Sequence, residues 1–360
     1  MSSDLFQPLP IANGRITLQH RVVMAPMTRN RGVPLSDGTP EGPNRTWLPD
    51  KLVALYYAQR ASPGGLLITE GIPPSIEASG MPNVPGMFHP AQIDGWKHVV
   101  DGVHAKGGFI YAQLWHAGRA TMPQMTGLPT VSSSATPWED DEKYPFRIAF
   151  TKEKVSYRNH PPRAMTEEDI ERTANDFVRA AQTAMDIGFD GVEINGGNGN
   201  LLDQFLHSNI NTRTDAYGGS LERRAKFPLD VMAAIAKAIG PSNVAIRLEP
   251  AGLYNHTRGA EACPSSPTLR SGPSFQRFRR LPVADGVVRI VTRRWIKAGM
   301  RWCLQSGSPA TPTLPARLQR SLPLRPYDRS RFYGSWDGVR ERGYTEYLTY
   351  QEDSAAKTQE

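Results

Sequence analysis

At 360 residues, 39% apolar and 21% charged, the chain can bury one large core, and single α/β barrels commonly run past about 250 residues, so one domain is expected. Its two cysteines, Cys263 and Cys303, are too few for a disulfide framework or a thiolate metal cluster. No apolar run approaches about 18 residues, and the amino terminus lacks a basic start followed by an apolar stretch, so a cytoplasmic protein with no membrane partner is expected.

The formal charge of +7 is local. Residues 258–325 hold thirteen Lys or Arg against Glu261 and Asp285, which leaves the rest of the chain at −4. That basicity is not laid on a helix face with interleaved aromatics, which argues against a nucleic-acid partner.

In chain order, residues 21–25 read as a strand leading into Pro26, Met27 and Thr28; 52–61 as a helix; and 65–70 as a second strand. Residues 90–106 have Ile93, Trp96, Val99, Val100 and Val103 three or four apart, a helix that Gly107 and Gly108 end with a left-handed cap. Residues 109–114 form a third strand, and a long Pro- and Ser-rich connection fills 117–163. Thr166 then caps a helix over 167–187, with three carboxylates in its first turn. A fourth strand covers 189–194, Ser220 caps a helix through Ile239, and 243–248 is a fifth strand. Repeated strand-helix units without a Gly-rich dinucleotide fingerprint favour a closed parallel barrel over an open doubly wound sheet.

Residues 189–220, FDGVEINGGNGNLLDQFLHSNINTRTDAYGGS, carry the densest signal. An apolar strand stops in a loop of Asn and Gly, and in strand-helix proteins the loop after such a strand end is where ligands bind. The alternative is that Gly196, Gly197 and Gly199 supply the positive φ angles of a tight turn, which Asn195, Asn198 and Asn200 merely tolerate.

This stretch resembles the signature of the old yellow enzyme family, VEIHxANGYLLxQFLxxxxNxRTDxYGGS, and the match is dense over 204–220. The resemblance implies a (β/α)8 TIM barrel that binds FMN, takes hydride from NADPH or NADH, and reduces the C=C bond of an enone or enal. It is an activity often found in secondary metabolism. Asn195, Asn198 and Asn200 stand at the family's catalytic positions, where His, Asn and Tyr are usual. Asn can donate a hydrogen bond to a substrate carbonyl, but it lacks the charge of an imidazolium and is no practical acid.

By the same resemblance, Pro26, Met27 and Thr28 of MAPMTRNR would face the flavin, Gly71 of ITEG would let backbone approach the ring, and Gln113 of AQLWHAGR would bond its pyrimidine edge. Arg247 of AIRLEP would oppose negative charge on the reduced ring. Trp115 and His116 would line the substrate pocket, and Tyr57 lies in a family-like helix segment. No His, Cys and carboxylate spacing signals a metal.

After about residue 255 the pattern fails, apart from 286–296, and these residues cannot supply three more strand-helix units. A family-like tail, LPARLQRSLPLRPYDRSRFYGSW with a later GYTEY, resumes near 314. The division is therefore 1–254, barrel strands one to five with the ring and substrate sites; 255–313, an anomalous Pro/Ser/Arg-rich segment with the last three units degraded or replaced; and 314–360, the tail. A shifted reading frame or a genuine replacement would each produce this abrupt change. The family's phosphate-binding motifs are absent from it. Two other readings stay open: a family member that does not retain FMN, and a redox-neutral isomerase or binding protein for an enone.

Overall fold

The computed structural model describes residues 4–36, 44–146, 154–249, 252–258, 288–291, 311–324, 326, 328–333 and 338–348. Six parallel strands form one sheet: β1 (Val23–Met24), β2 (Leu66–Ile72), β3 (Phe109–Leu114), β4 (Gly191–Gly196), β5 (Val244–Leu248) and β6 (Val288–Val291). Each strand pairs with the next in the chain. This order never reverses, which is the winding of a barrel and not of a doubly wound sheet. The strand β6 falls within 286–296, the stretch excepted from the loss of pattern after residue 255, and Ala245 to Leu248 pair in parallel with Val288 to Val291. The other expected features of 259–287 and 292–310 lie outside the described residues.

Between the strands run α1 (Lys51–Arg60), α2 (Pro90–His104), α3 (Glu167–Asp186), α4 (Leu201–Leu206) and α5 (Lys226–Ile239). Local chemistry sets their ends. Asp50 accepts from the Val53 N–H, His89 and Gln92 form a capping box ahead of Pro90, and Thr166 and Asp169 form another. Gly107, at φ +70, lets the chain leave α2, as the sequence predicts.

Strand alternation divides the barrel wall. Leu67, Ile110, Ala112, Leu114, Val192, Ile194, Val244 and Ile246 join the main core between sheet and helices. Leu66, Ile68, Tyr111 and Ala245 form a second cluster with Ile11, Ile16 and Leu18 from the hairpin of Leu9–Ile11 and Ile16–Leu18. That hairpin closes the amino end of the barrel with apolar side chains. Toward the carboxyl end the corresponding positions turn polar: Gln113, Glu193, Asn195 and Arg247 are all buried.

One irregularity shapes this end. Register between β2 and β3 shifts after Ile68, so that Ile68 lies opposite Tyr111 but Gly71 opposite Gln113. The extra residue is a bulge. It aligns Gly71 with the Gln113–Glu193 row and leaves Glu70 beside α1, where its N–H donates to the Tyr57 hydroxyl at 2.8 Å.

Candidate active site

The polar positions at the strand ends form one hydrogen-bonded chain. Gln113 Nε2 donates to Glu193 Oε1 at 2.6 Å, and Asn195 Nδ2 donates to Gln113 Oε1 at 3.3 Å. Asn195 Oδ1 accepts from the Gly197 N–H at 3.2 Å and from Asn200 Nδ2 at 3.4 Å. Asn200 Nδ2 also donates to the Gly197 carbonyl at 3.2 Å. An amide nitrogen carries two hydrogens. Asn200 Nδ2 thus has two acceptors in the protein, while Asn195 Nδ2 has one among the described residues.

The loop behind this chain is a tight turn as well as a polar cluster. Asn198 (φ +57) and Gly199 (φ +66) take the left-handed conformation. A Cβ on Gly199 would lie 2.6 Å from Asn255 Cβ. Gly196 and Gly197 do not have the positive φ the sequence suggested. Gly196 ends β4, where a Cβ would meet the Arg247 carbonyl at 3.0 Å, and a Cβ on Gly197 would meet Glu249 Cβ at 3.0 Å. The Asn198 N–H donates to Glu249 at 3.3 Å and its carbonyl accepts from Asn255 Nδ2 at 2.8 Å. Asn200 is the N-cap residue of α4 by backbone conformation, without a side-chain cap.

Buried atoms at this end without a hydrogen-bond partner among the described residues include Arg247 Nε and Glu193 Oε2, together with Glu70 Oε1 and His116 Nε2. Burial pushes the Glu193 carboxyl up to about 7, against the opposing pull of Arg247 and Gln113. Sequence reasoning gave Glu193 no role. The available signal was a lone acid inside an otherwise apolar strand, GVEING.

Across the barrel, Pro26 and Thr28 are partly exposed and Met27 is buried. Gly71 faces Trp115, whose Cβ and Cγ would sit 3.0 Å from any added Cβ. Trp115 packs with Val84 and Ala117. His116 does not join the amide chain. Its Nδ1 accepts from the Gly118 N–H at 3.0 Å and its carbonyl accepts from Leu201. Burial, aided by Arg172 of α3, drives the imidazole down to about 3, so it stays neutral. A neutral ring does not act as a strong acid.

The segment after Thr28 is anchored from the far end of the chain. Arg29 donates to the Tyr56 hydroxyl at 3.0 Å and to the carbonyls of Phe332 (3.0 Å) and Gly343 (2.5 Å). Arg31 donates to the Arg340 and Arg342 carbonyls, both at 2.9 Å. Tyr344 stacks on Tyr56 with ring centroids 4.0 Å apart. Glu70 Oε2 accepts from the Arg29 N–H at 3.1 Å, and burial holds this carboxyl near 7.

Asp140 and Glu142, two residues apart, and His256, more than a hundred residues on, bring ligating atoms within 4.8 Å of one another. The two carboxylates are exposed, and His256 Nε2 lies 2.9 Å from Glu142 Oε2. The trio pins residues 139–142 to the loop that carries Asn255. Among the described residues no helix is long and apolar enough to cross a membrane.

Residues 4–263 match a family described as NADH:flavin oxidoreductase / NADH oxidase. The chain is similar to the flavin oxidoreductase hxnT of Emericella nidulans, with 38% identity over 397 residues that cover 95% of this chain and 97% of the relative. That alignment is longer than this chain, so the relative carries segments without a counterpart here. Chanoclavine-I aldehyde reductase fgaOx3 of Penicillium roqueforti is 37% identical, covering 96% of both chains. The 12-oxophytodienoate reductase 2 of Arabidopsis thaliana is 36% identical, covering 94% of both. Among solved structures, morphinone reductase in complex with tetrahydroNAD superposes with a TM-score of 0.76 at 32% identity, covering 96% of this chain and 97% of that one.

Proposed function

The chain belongs to the NADH:flavin oxidoreductase / NADH oxidase family, the old yellow enzymes, and from that premise we propose that it reduces the C=C bond of small α,β-unsaturated carbonyl compounds at the expense of NAD(P)H. Oxidoreductase chemistry and FMN come with the family. The likeness to an aldehyde reductase and to a 12-oxophytodienoate reductase supports the enone or enal as substrate class.

The residues present fit the ring of FMN. Arg247 keeps a buried Nε with no partner among the described residues at the carboxyl end of β5, and Gly71, packed against Trp115, presents bare backbone at the end of β2. Thr28, Gln113 and Arg247 would hold the ring edges, with Pro26 and Met27 beside it. FMN, when bound, supplies the hydride chemistry. The expected phosphate loops fall largely outside the described residues.

The observation that carries the reading is the second hydrogen on Asn195 Nδ2, which has no acceptor among the described residues and is fixed in direction by Gln113 and Gly197. It would donate to the substrate carbonyl oxygen and draw electron density from the conjugated C=C bond. Asn198 would offer a second amide. Asn200 holds no transferable proton, so the carbon opposite the hydride would be protonated from water.

A specific observation favours a second reading, an enzyme that oxidises NAD(P)H through flavin but saturates alkenes slowly: the Asn200 amide, no acid itself, donates to Asn195 and Gly197. Following NADPH consumption and saturated product together separates the two. Equal rates support C=C reduction, and consumption without product supports the second reading. For residues 255–313 we propose a shifted reading frame, an idea in keeping with the family match ending at 263. Reading the gene in its other frames tests it, and the absence of any barrel-like strand there would defeat it.

A further inference from the structure

We propose that Glu193 is a positioning residue for this site: its carboxyl fixes the donor direction of the Gln113–Asn195–Asn200 amide chain and balances the Arg247 charge beneath the ligand. The chain's direction is its functional property. Side-chain amides can each be reversed end for end, and a reversed chain would present a carbonyl oxygen where a ligand carbonyl must be gripped. Two groups hold its ends, the Gly197 N–H, which can only donate, and the Glu193 carboxyl, which as the anion can only accept. The first makes Asn195 Oδ1 the acceptor, and the second closes the other end by accepting from Gln113 at 2.6 Å. With both ends set, Asn195 turns an N–H toward the pocket.

The surroundings of Glu193 make it more than a spacer. It is fully buried, and Oε2 has no partner among the described residues. The groups facing it among the described side chains are Gln113 on β3, Arg247 on β5 as the one charged neighbour, and the Tyr111 phenol against Gly191 one row below. Burial holds its proton up to about 7. The net charge under the site therefore changes near neutral pH. A neutral Glu193 leaves the Arg247 charge uncompensated, and an ionised one cancels it while accepting more strongly from Gln113.

The part of this inference that concerns FMN rests on the reading above; the amide direction does not. The test uses purified full-length wild type, Glu193→Gln and Glu193→Leu. The side-chain amide resonances of Gln113 and Asn195, assigned by single substitutions, are followed by NMR from about pH 5 to about pH 9, and FMN is titrated in parallel by fluorescence. We expect the wild-type amide signals to move with a midpoint near neutrality and those of Glu193→Gln to stay still. FMN affinity should hold within about threefold in Glu193→Gln, which keeps the acceptor, and fall about tenfold or more in Glu193→Leu, which loses it. Amide signals that are insensitive to pH in wild type, or that titrate identically in Glu193→Gln, overturn the inference, as does unchanged FMN affinity in both variants. Should Glu193→Leu fail to fold, Glu193→Gln decides through the amide titration. A protein that takes up no FMN in any form contradicts the proposed function, and the amide titration still decides whether Glu193 sets the amide direction.

Discussion

The loops that follow β1 and β4 flank the same site but are held in opposite ways. After β1, Arg29 and Arg31 are fixed by charge-assisted bonds to carbonyls some 300 residues away and by the Tyr56–Tyr344 stack. After β4, neutral amides within six residues of one another close on themselves through bonds of 3.2 to 3.4 Å, tied to the wall through Gln113. The first loop depends on the whole chain being in place. The second is held mainly by short-range bonds, with Glu249 and Asn255 bonding Asn198, and in it Asn195 and Asn200 pair with each other. Substitution there changes chemistry before it changes folding.

Tyr344→Ala bears hardest on this contrast. It removes a fully buried ring from the tail that holds the β1 loop, and should lower unfolding free energy by about 4 kcal/mol in urea titrations. A loss below about 1 kcal/mol would break the claim of long-range anchoring. Gln113→Leu strips Glu193 of its donor and Asn195 of its acceptor, so about 3 kcal/mol of stability should go, together with FMN affinity. If stability alone falls and FMN binds as before, Gln113 is structural only.

The double substitution Asn195→His with Asn200→Tyr should leave stability within about 1 kcal/mol and raise enone turnover about 100-fold, since a general acid returns to the site. Product formation measured against NADPH consumption reads the gain, and its absence would remove these two positions from the catalytic set.

The smallest effect is a pH dependence shared by both sides. Glu70 beside the β1 loop and Glu193 below the β4 loop are each held up to about 7 from an ordinary 4.5, mainly by burial. Because the folded state holds these protons more tightly, the stability they contribute is complete below about pH 4.5 and is lost as pH rises through about 7. Each single Gln variant should flatten the fall in stability between about pH 5 and about pH 8 by on the order of 2 kcal/mol. Chemical denaturation at several pH values measures this, and a slope identical to wild type would mean that the carboxyl in question does not titrate in this range.

Much of the architecture is legible in the sequence because periodicity and caps agree. Trp96, Val99 and Val103 mark the buried face of α2, and Thr166 starts α3 where its hydroxyl can accept. The site is legible in part. Trp115 and His116 lie just beyond β3 in different surroundings: Trp115 packs with Val84 and Ala117, whereas the His116 ring is held by the Gly118 N–H, which no sequence pattern announces. Glu193 is hard to read because a strand buried on both faces hides its polar member among apolar ones, and its meaning depends on Gln113 and Arg247 from two other strands. Arg29 and Arg31 look like surface cations in MAPMTRNR; their partners are backbone carbonyls of the tail, which no side-chain pattern announces. The strand β6 shows only as a hint within 286–296, since four residues carry too little periodicity to stand out from an irregular stretch.

The proposed function turns on whether this chain holds and cycles FMN. The direct measurement is the visible absorbance of the purified protein titrated with FMN, then with NADPH, then with an enone. We expect stoichiometric flavin uptake, bleaching by NADPH and recovery of colour with appearance of the saturated carbonyl product. A colourless protein that takes up no FMN would contradict the proposal.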